Sequence, residues 1–349
     1  MTSDSIDTRY LFRLTDDTGL FQHAVLGVPD PKEGYTTDDN ARALMLAGML
    51  YGRTGEKKYE ELLVRYLSFL FYAERDRWFR NFMGYDRNFL EKRGSEDCFG
   101  RCLWALAYTA TREGLPGYIR ACAERLLHRT AASCSSLASL KGKAYALTGL
   151  TIWKDPEAQP FVKMMADSII DTYAQCRRED WRWFEEKITY CSAILPYSML
   201  CACETEKRCL NIGLESLDFL LEITTKNGVF KPVGCKGWLA RGETPAEYDE
   251  QPVEACSTLL TCLKAHRMTG EKKYEDAARR CFFWYLGMNS RGQTLIDPET
   301  GGCRDGLTQN GPNGNEGAES IVCWLIARTI AEKEQWLPMP EKNENPMQG

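Results

Sequence analysis

Six stretches of this chain are apolar or built of small residues around almost their whole helical circumference: 41–52, 101–112, 144–153, 190–203, 252–265 and 318–330. A helix without a polar face must be surrounded by other protein. Between them lie five stretches with one apolar stripe and one charged face, at 57–74, 117–130, 160–176, 207–223 and 272–286. Apolar residues at i, i+3, i+4 and i+7 fit helices that wrap an inner layer. The buried stretches begin about 45 to 65 residues apart, room for two helices and a loop. A literal echo supports a repeated hairpin: Thr54-Gly-Glu-Lys-Lys-Tyr59 recurs as Thr269-Gly-Glu-Lys-Lys-Tyr274. The alternation predicts an all-α chain, an (α/α)6 toroid of six helical hairpins, with a further helix near residues 5–22 to close the ring. An open α-solenoid has the same alternation, but its inner helices carry a polar concave face, whereas these are polar only where they start. One domain over residues 1–335 follows, and residues 336–349 read as a polar, proline-containing tail expected to be disordered.

With 349 residues the chain can bury a large core without disulfide staples. Its formal net charge is -5, with acidic and basic residues interspersed, so no basic face is available for nucleic acid. No apolar run approaches the roughly 20 residues that span a bilayer, and the first residues lack the basic-then-apolar order of a signal peptide. A soluble, cytoplasmic protein is expected. The fifteen cysteines lie mainly inside apolar stretches, where a thiol behaves as a small hydrophobe, and free thiols are expected. Three histidines and the lack of paired C-x2-C spacing predict no metal site. Without a G-x-x-x-x-G-K-[ST] loop or a strand-bound G-x-G-x-x-G, no cofactor is expected.

Chemistry is read from the places where the buried stretches begin: Thr37-Asp38-Asp39-Asn40, Ser95-Glu96-Asp97, Leu140-Lys141-Gly142, Thr189-Tyr190, Asp249-Glu250-Gln251 and Asn315-Glu316-Gly317. The loops entering them are long and rich in glycine and aromatics, and those leaving them are short. Long loops on one face of a helical scaffold are where binding surfaces form. In a ring the starts converge, so their carboxylates gather at one mouth. Any one acid alone could be a cap or a dipole partner. Capping does not explain double acids at three starts, nor their company of Arg42, Arg101, Arg241 and Arg304, which can orient carboxylates or hydroxyls. Trp78, Tyr85, Trp183 and Trp238 in the loops offer apolar ring faces on which sugars stack.

Carboxylates and aromatics with scarce histidine point to glycoside chemistry. There, one carboxylic acid protonates the leaving oxygen, and a second carboxylate activates water or attacks the sugar. The helix dipole would depress an acid at an inner-helix start, suiting Asp39 to the role of base. Asp97, next to an aromatic-rich loop, suits the acid with a raised pKa. Asp38 and Glu250 complete the expected catalytic set. The expected substrate-binding set is Asn40, Arg42, Trp78, Tyr85, Glu96, Arg101, Trp183, Trp238, Arg241, Arg304, Asp305 and Glu316.

Five segments form an ordered set: Gly34-Tyr-Thr-Thr-Asp-Asp-Asn-Ala-Arg-Ala-Leu44, Asn81-Phe-Met-Gly-Tyr-Asp86, Ser95-Glu-Asp-Cys-Phe-Gly-Arg-Cys-Leu-Trp-Ala-Leu106, Tyr248-Asp-Glu-Gln-Pro-Val-Glu-Ala255, and Gly301-Gly-Cys-Arg-Asp-Gly306 with Asn315-Glu-Gly-Ala-Glu319. The set resembles a bacterial family of the six-hairpin glycosidase superfamily, whose members occur alone or fused to glycosyltransferase modules, often near mannoside phosphorylases. The resemblance spans roughly residues 20–333 and implies an (α/α)6 fold and a carbohydrate substrate, a mannoside among the candidates. Cys98-Phe99 departs from it, standing where small or polar residues are expected. The implied partner is an oligosaccharide, with neither nucleic acid nor membrane. Two other readings remain open: a sugar epimerase or isomerase, whose chemistry usually wants interior histidines where this chain supplies at most His23, and a non-catalytic glycan-binding or glycosyltransferase-accessory module.

Overall fold

A computed structural model of the protein describes residues 6–337. Among them, twelve α-helices follow in order: α1 (Arg9–Arg13), α2 (Thr37–Thr54), α3 (Lys57–Ala73), α4 (Glu96–Thr111), α5 (Gly117–Thr130), α6 (Leu140–Trp153), α7 (Gln159–Cys176), α8 (Ile194–Ala202), α9 (Arg208–Thr224), α10 (Pro252–Thr269), α11 (Lys272–Tyr285) and α12 (Ala318–Lys333). The even-numbered helices form the inner layer. Each packs on the next, α2 on α4 through to α10 on α12, and α12 packs back on α2. The ring is closed, an (α/α)6 toroid. The odd-numbered helices α3 to α11 each lie against the preceding inner helix, and α1 lies against α12.

The inner helices pack tightly because small residues face their neighbours. A Cβ on Gly149 would lie 2.8 Å from the Trp104 nitrogen, and one on Gly100 would lie 2.6 Å from the Gly142 carbonyl. Glycine therefore sets the separation of α4 and α6. The repeated T-G-E segment is a helix stop used twice. Gly55 and Gly270 adopt left-handed φ values of 66° and 72°, donating to the carbonyls of Tyr51 and His266. Thr54 and Thr269 then accept from the N–H groups of Glu56 and Glu271, at 3.2 and 3.1 Å. Only glycine enters that conformation without strain, which is why both turns share a spelling.

Two elements differ from the sequence reading. The N-terminal helix is confined to Arg9–Arg13 rather than reaching residue 22. Asp16 closes a turn there by accepting from Thr18 and Gly19 at 2.8 and 3.1 Å, a local bond that competes with helix. The fourth inner helix begins at Ile194 instead of Tyr190, because residues 189–192 form a turn held by side chains of α6 and α10. Trp336 is buried beside Phe282 and Leu337 packs against the core, so the core runs past residue 335. The rest of the expected tail, 338–349, lies outside the described residues.

The long loops meet over the N-terminal ends of the inner helices. Tyr35–Thr36 pairs with Phe82–Met83, and Lys187–Ile188 with Leu239–Ala240, tying loops of different hairpins together. All fifteen cysteines are free thiols, most of them buried. Among the described residues, no helix is long and apolar enough to cross a membrane.

Candidate active site at the ring mouth

The first turn of α2 carries Asp38 and Asp39, and one turn later comes Arg42. The Thr36 hydroxyl donates to Asp39 Oδ2 at 2.6 Å. Arg42 donates through Nη1 to Asp39 Oδ1 and through Nη2 to Glu319 Oε2 of α12, both at 2.6 Å, and lies 3.6 Å from Asp38. Three carboxylates therefore share one guanidinium. Asp39 is only 6% exposed. Burial, followed by the like charges of Asp38 and Glu319, outweighs Arg42 and pushes its carboxyl up to about 7. The expected depression by the helix dipole does not win here. The dipole is worth about 1 kcal/mol at a helix start, and desolvation of a buried carboxylate exceeds it.

A second group stands at the starts of α4, α6 and α8. Ser95 caps α4 by accepting from the Cys98 nitrogen at 3.1 Å. Asp97 accepts from the Tyr190 hydroxyl and, at 3.3 Å, from Ser139 Oγ. Lys141 is buried, donates to Thr189 Oγ1 at 2.6 Å and to the Tyr190 carbonyl, and sits 3.7 Å from the Tyr190 ring centre. Burial lowers its pKa. Glu185 lies near both Lys141 and Asp97, its own pKa raised by burial. Trp238 approaches Tyr190 at 6.4 Å between ring centres. Lys141, Glu185 and Tyr190 were not in the expected set. Their signal was a pair of apolar helices that open on a lysine and a tyrosine where the other starts bring acids.

The structure places several expected site residues elsewhere. Glu250 is fully buried and accepts from Trp284 Nε1 at 2.8 Å and from Ser290, so it ties α10's entry to the outer layer rather than facing the mouth. Burial raises its pKa. Glu316 is likewise buried, held by Thr300 at 2.8 Å and Arg304 at 3.2 Å. Arg304 also pairs with Asp297, and Asp305 accepts from the Gly317 nitrogen and from Ser320, capping α12. These three organise the last loop. Arg241 pairs with Glu186 at 3.0 Å. Asn40 is buried and bonds the Thr36 carbonyl and the Leu20 nitrogen, both at 2.8 Å. Glu96 accepts from the Ala138 and Ser139 nitrogens, fixing the entry to α6. Trp78 is buried against Phe99 at 4.1 Å, and Trp183 is buried against Phe184. Tyr85 remains 60% exposed. The mouth thus keeps Asp38, Asp39, Arg42, Asp97 and Trp238 of the expected residues, and gains Glu319.

Below the mouth, the axis of the ring encloses a cavity of about 580 Å³. Of the expected residues only Arg42 and Arg101 line it, and none of the expected carboxylates does. The acids stand one layer above this space instead of around it. Among the described residues, one group of side chains has metal-ligand spacing, His128 of α5 with Asp155 and Glu157 of the α6–α7 connection, and none of the three lines the cavity.

A closed ring of six helical hairpins with long loops over one end defines the class, the (α/α)6 toroids. No family model and no curated protein sequence matches the chain. Solved structures do match. A sugar epimerase from a ruminal bacterium superposes with a TM-score of 0.74 at 12% identity, over 97% of each chain. Cellobiose 2-epimerase of Bacillus thermoamylovorans gives 0.72 at 13% identity, over 94% of this chain and 95% of its own. An α-1,6-mannanase from Salegentibacter gives 0.61 at 11% identity, over 93% and 96%. At such identities the likeness establishes the fold.

Proposed function

We propose that the chain is a carbohydrate-active enzyme, a glycoside hydrolase that cleaves a short oligosaccharide, with Asp39 as its proton donor. The observation that carries this reading is the Asp38–Asp39–Arg42–Glu319 cluster. A buried carboxyl poised at about 7 is protonated often enough to donate and acidic enough to do so quickly. Asp97, held by Tyr190 and Ser139, is the second carboxylate, acting on water or on the sugar. The roles expected from the helix dipole and the aromatic-rich loop are thereby exchanged: Asp39 becomes the acid and Asp97 the base. Trp238 and Tyr190 offer ring faces to the sugar. The mannanase among the structural neighbours and the family resemblance both favour a mannoside.

Epimerisation or isomerisation is the second reading, favoured by the full-length superposition on sugar epimerases and by Lys141, whose lowered pKa would let it act as a base. A panel of manno-, gluco- and galacto-oligosaccharides, followed by chromatography and proton NMR of the reducing end, separates the two. Shortened products that vanish in Asp39→Asn support hydrolysis. Products of unchanged length with an altered reducing end support epimerisation. Glycan binding without any conversion would sink both in favour of a binding module.

A further inference from the structure

The axial cavity lies below the mouth and meets its carboxylate cluster through Arg42, which belongs to both. Its walls are Met45, Met49, Trp104, Tyr197, Leu260 and Ile326, side chains that the inner helices turn toward the axis. One end is made by exposed residues at the helix C-termini, including Arg53, Arg112, Arg267 and Lys333. The other end is made by buried Arg101, Tyr145, Cys191 and Val253, with Arg42 beside them. The cavity is therefore open at the C-terminal end of the ring and closed beneath the mouth. Eleven residues of α2 separate Arg42 from Arg53, a depth of about 16 Å at 1.5 Å per residue.

The closed end holds an unmet demand. Arg101 is 8% exposed, and its Nε is buried without a hydrogen-bond partner. Among the described residues no carboxylate pairs with it. Its guanidinium rests 4.3 Å from the Tyr145 ring centre, and an arginine cannot shed its charge by deprotonation. A buried, unpaired cation is costly. Arg42 nearby is already matched by three carboxylates, so Arg101 is left for something else. The open rim repeats the sign. Seven arginines and lysines line the cavity against one acid, Glu332. Arg53 and Arg267 are paired with Glu332 and Glu334, whereas Arg112, Lys264 and Lys333 have no ion-pair partner among the described residues. Basic groups at the mouth of an apolar hole draw in anions, and the volume is that of a small-molecule site.

We propose that the axial cavity binds an apolar monocarboxylate, an amphiphile with a medium-length aliphatic tail, which enters head first from the C-terminal end and seats its carboxylate on Arg101. The tail then lies along Met45, Met49, Trp104 and Leu260. The sugar site at the opposite end is not needed for this binding, so the two readings fail separately.

Titration calorimetry of the full chain with decanoate tests it, with decylamine as the cationic control. Decanoate is expected to bind one to one and decylamine not to bind. Arg101→Met is expected to raise thermal stability, because it removes an unpaired buried charge, and to weaken decanoate by about tenfold or more, the scale of one charge-assisted contact. Met49→Trp, which fills the middle of the cavity while leaving Arg101 in place, is expected to abolish binding. The proposal is overturned if wild-type protein shows no saturable decanoate binding, if decylamine binds as well, or if either variant binds decanoate like wild type.

Discussion

The two ends of the same six inner helices are built by opposite means. At the N-terminal end, long loops from several hairpins cross-pair, carboxylates share Arg42 within a few ångströms, and a buried lysine bonds Thr189 and Tyr190. At the C-terminal end the connections are short, two of them glycine turns, and the space between helices is apolar, with a basic rim. The difference teaches that the alternation of helices does not locate chemistry by itself. Where the loops are long, charges are held in networks that shift protonation. Where they are short, an apolar space is left that can only recognise shape and charge.

The largest effect should come from the mouth. Asp39→Asn should lower turnover by about 10²- to 10⁴-fold, the range for loss of a general acid, as measured by product release per folded molecule. A retained rate would break the assignment. Protonation gives a related prediction. Asp39 titrates near 3.9 in an unfolded chain and at about 7 in the fold, so the native state holds its proton more tightly. The resulting stabilisation is full below about pH 4 and is lost as pH rises through 7. Denaturant unfolding across that window should show wild-type stability falling more steeply than that of Asp39→Asn, whose remaining slope comes from other buried carboxyls such as Glu185 and Glu250, and parallel curves would contradict the shift.

Smaller effects distinguish scaffold from site. Gly149→Ala should cost about 1–3 kcal/mol, the usual price of overpacking, since its Cβ would meet the α4 backbone. Urea unfolding measures it, and an unchanged midpoint would mean that α4 and α6 can separate. Glu250→Ala should cost about 1–2 kcal/mol by leaving Trp284 Nε1 and Ser290 without their acceptor, while turnover per folded molecule stays as in wild type. Loss of turnover with normal stability would return Glu250 to the active site.

Much of the fold was legible because burial dictates it. Helices apolar all round need an enclosing layer, and the T-G-E repeat marks two of the turns between layers. The ring closes as expected. The site was legible only in part. Asp38, Asp39 and Arg42 meet in one cluster and Asp97 stands in a second group at the α4 start, yet Glu250 and Glu316, equally acidic and just before helix starts, and Asp305 of the last loop are used to hold loops. Sequence cannot rank them, because the deciding quantity is which side of the first helical turn faces the axis. Glu319, in the first turn of α12, joins the Arg42 cluster, whereas Glu254, in the first turn of α10, does not. Glu254 turns instead to the Cys191 and Ser192 nitrogens of the neighbouring turn. The axial cavity left no trace in the pattern, because a helix face that lines an empty apolar space has the same composition as one that fills a core.

The proposed chemistry rests on a carboxyl at the mouth poised to give up a proton near neutrality. Carbon-13 NMR of side-chain-labelled aspartate, with Asp39→Asn to assign the resonance, measures it directly. An Asp39 midpoint near 7 is expected; a midpoint near 4, the ordinary value for aspartate, would remove Asp39 as the proton donor.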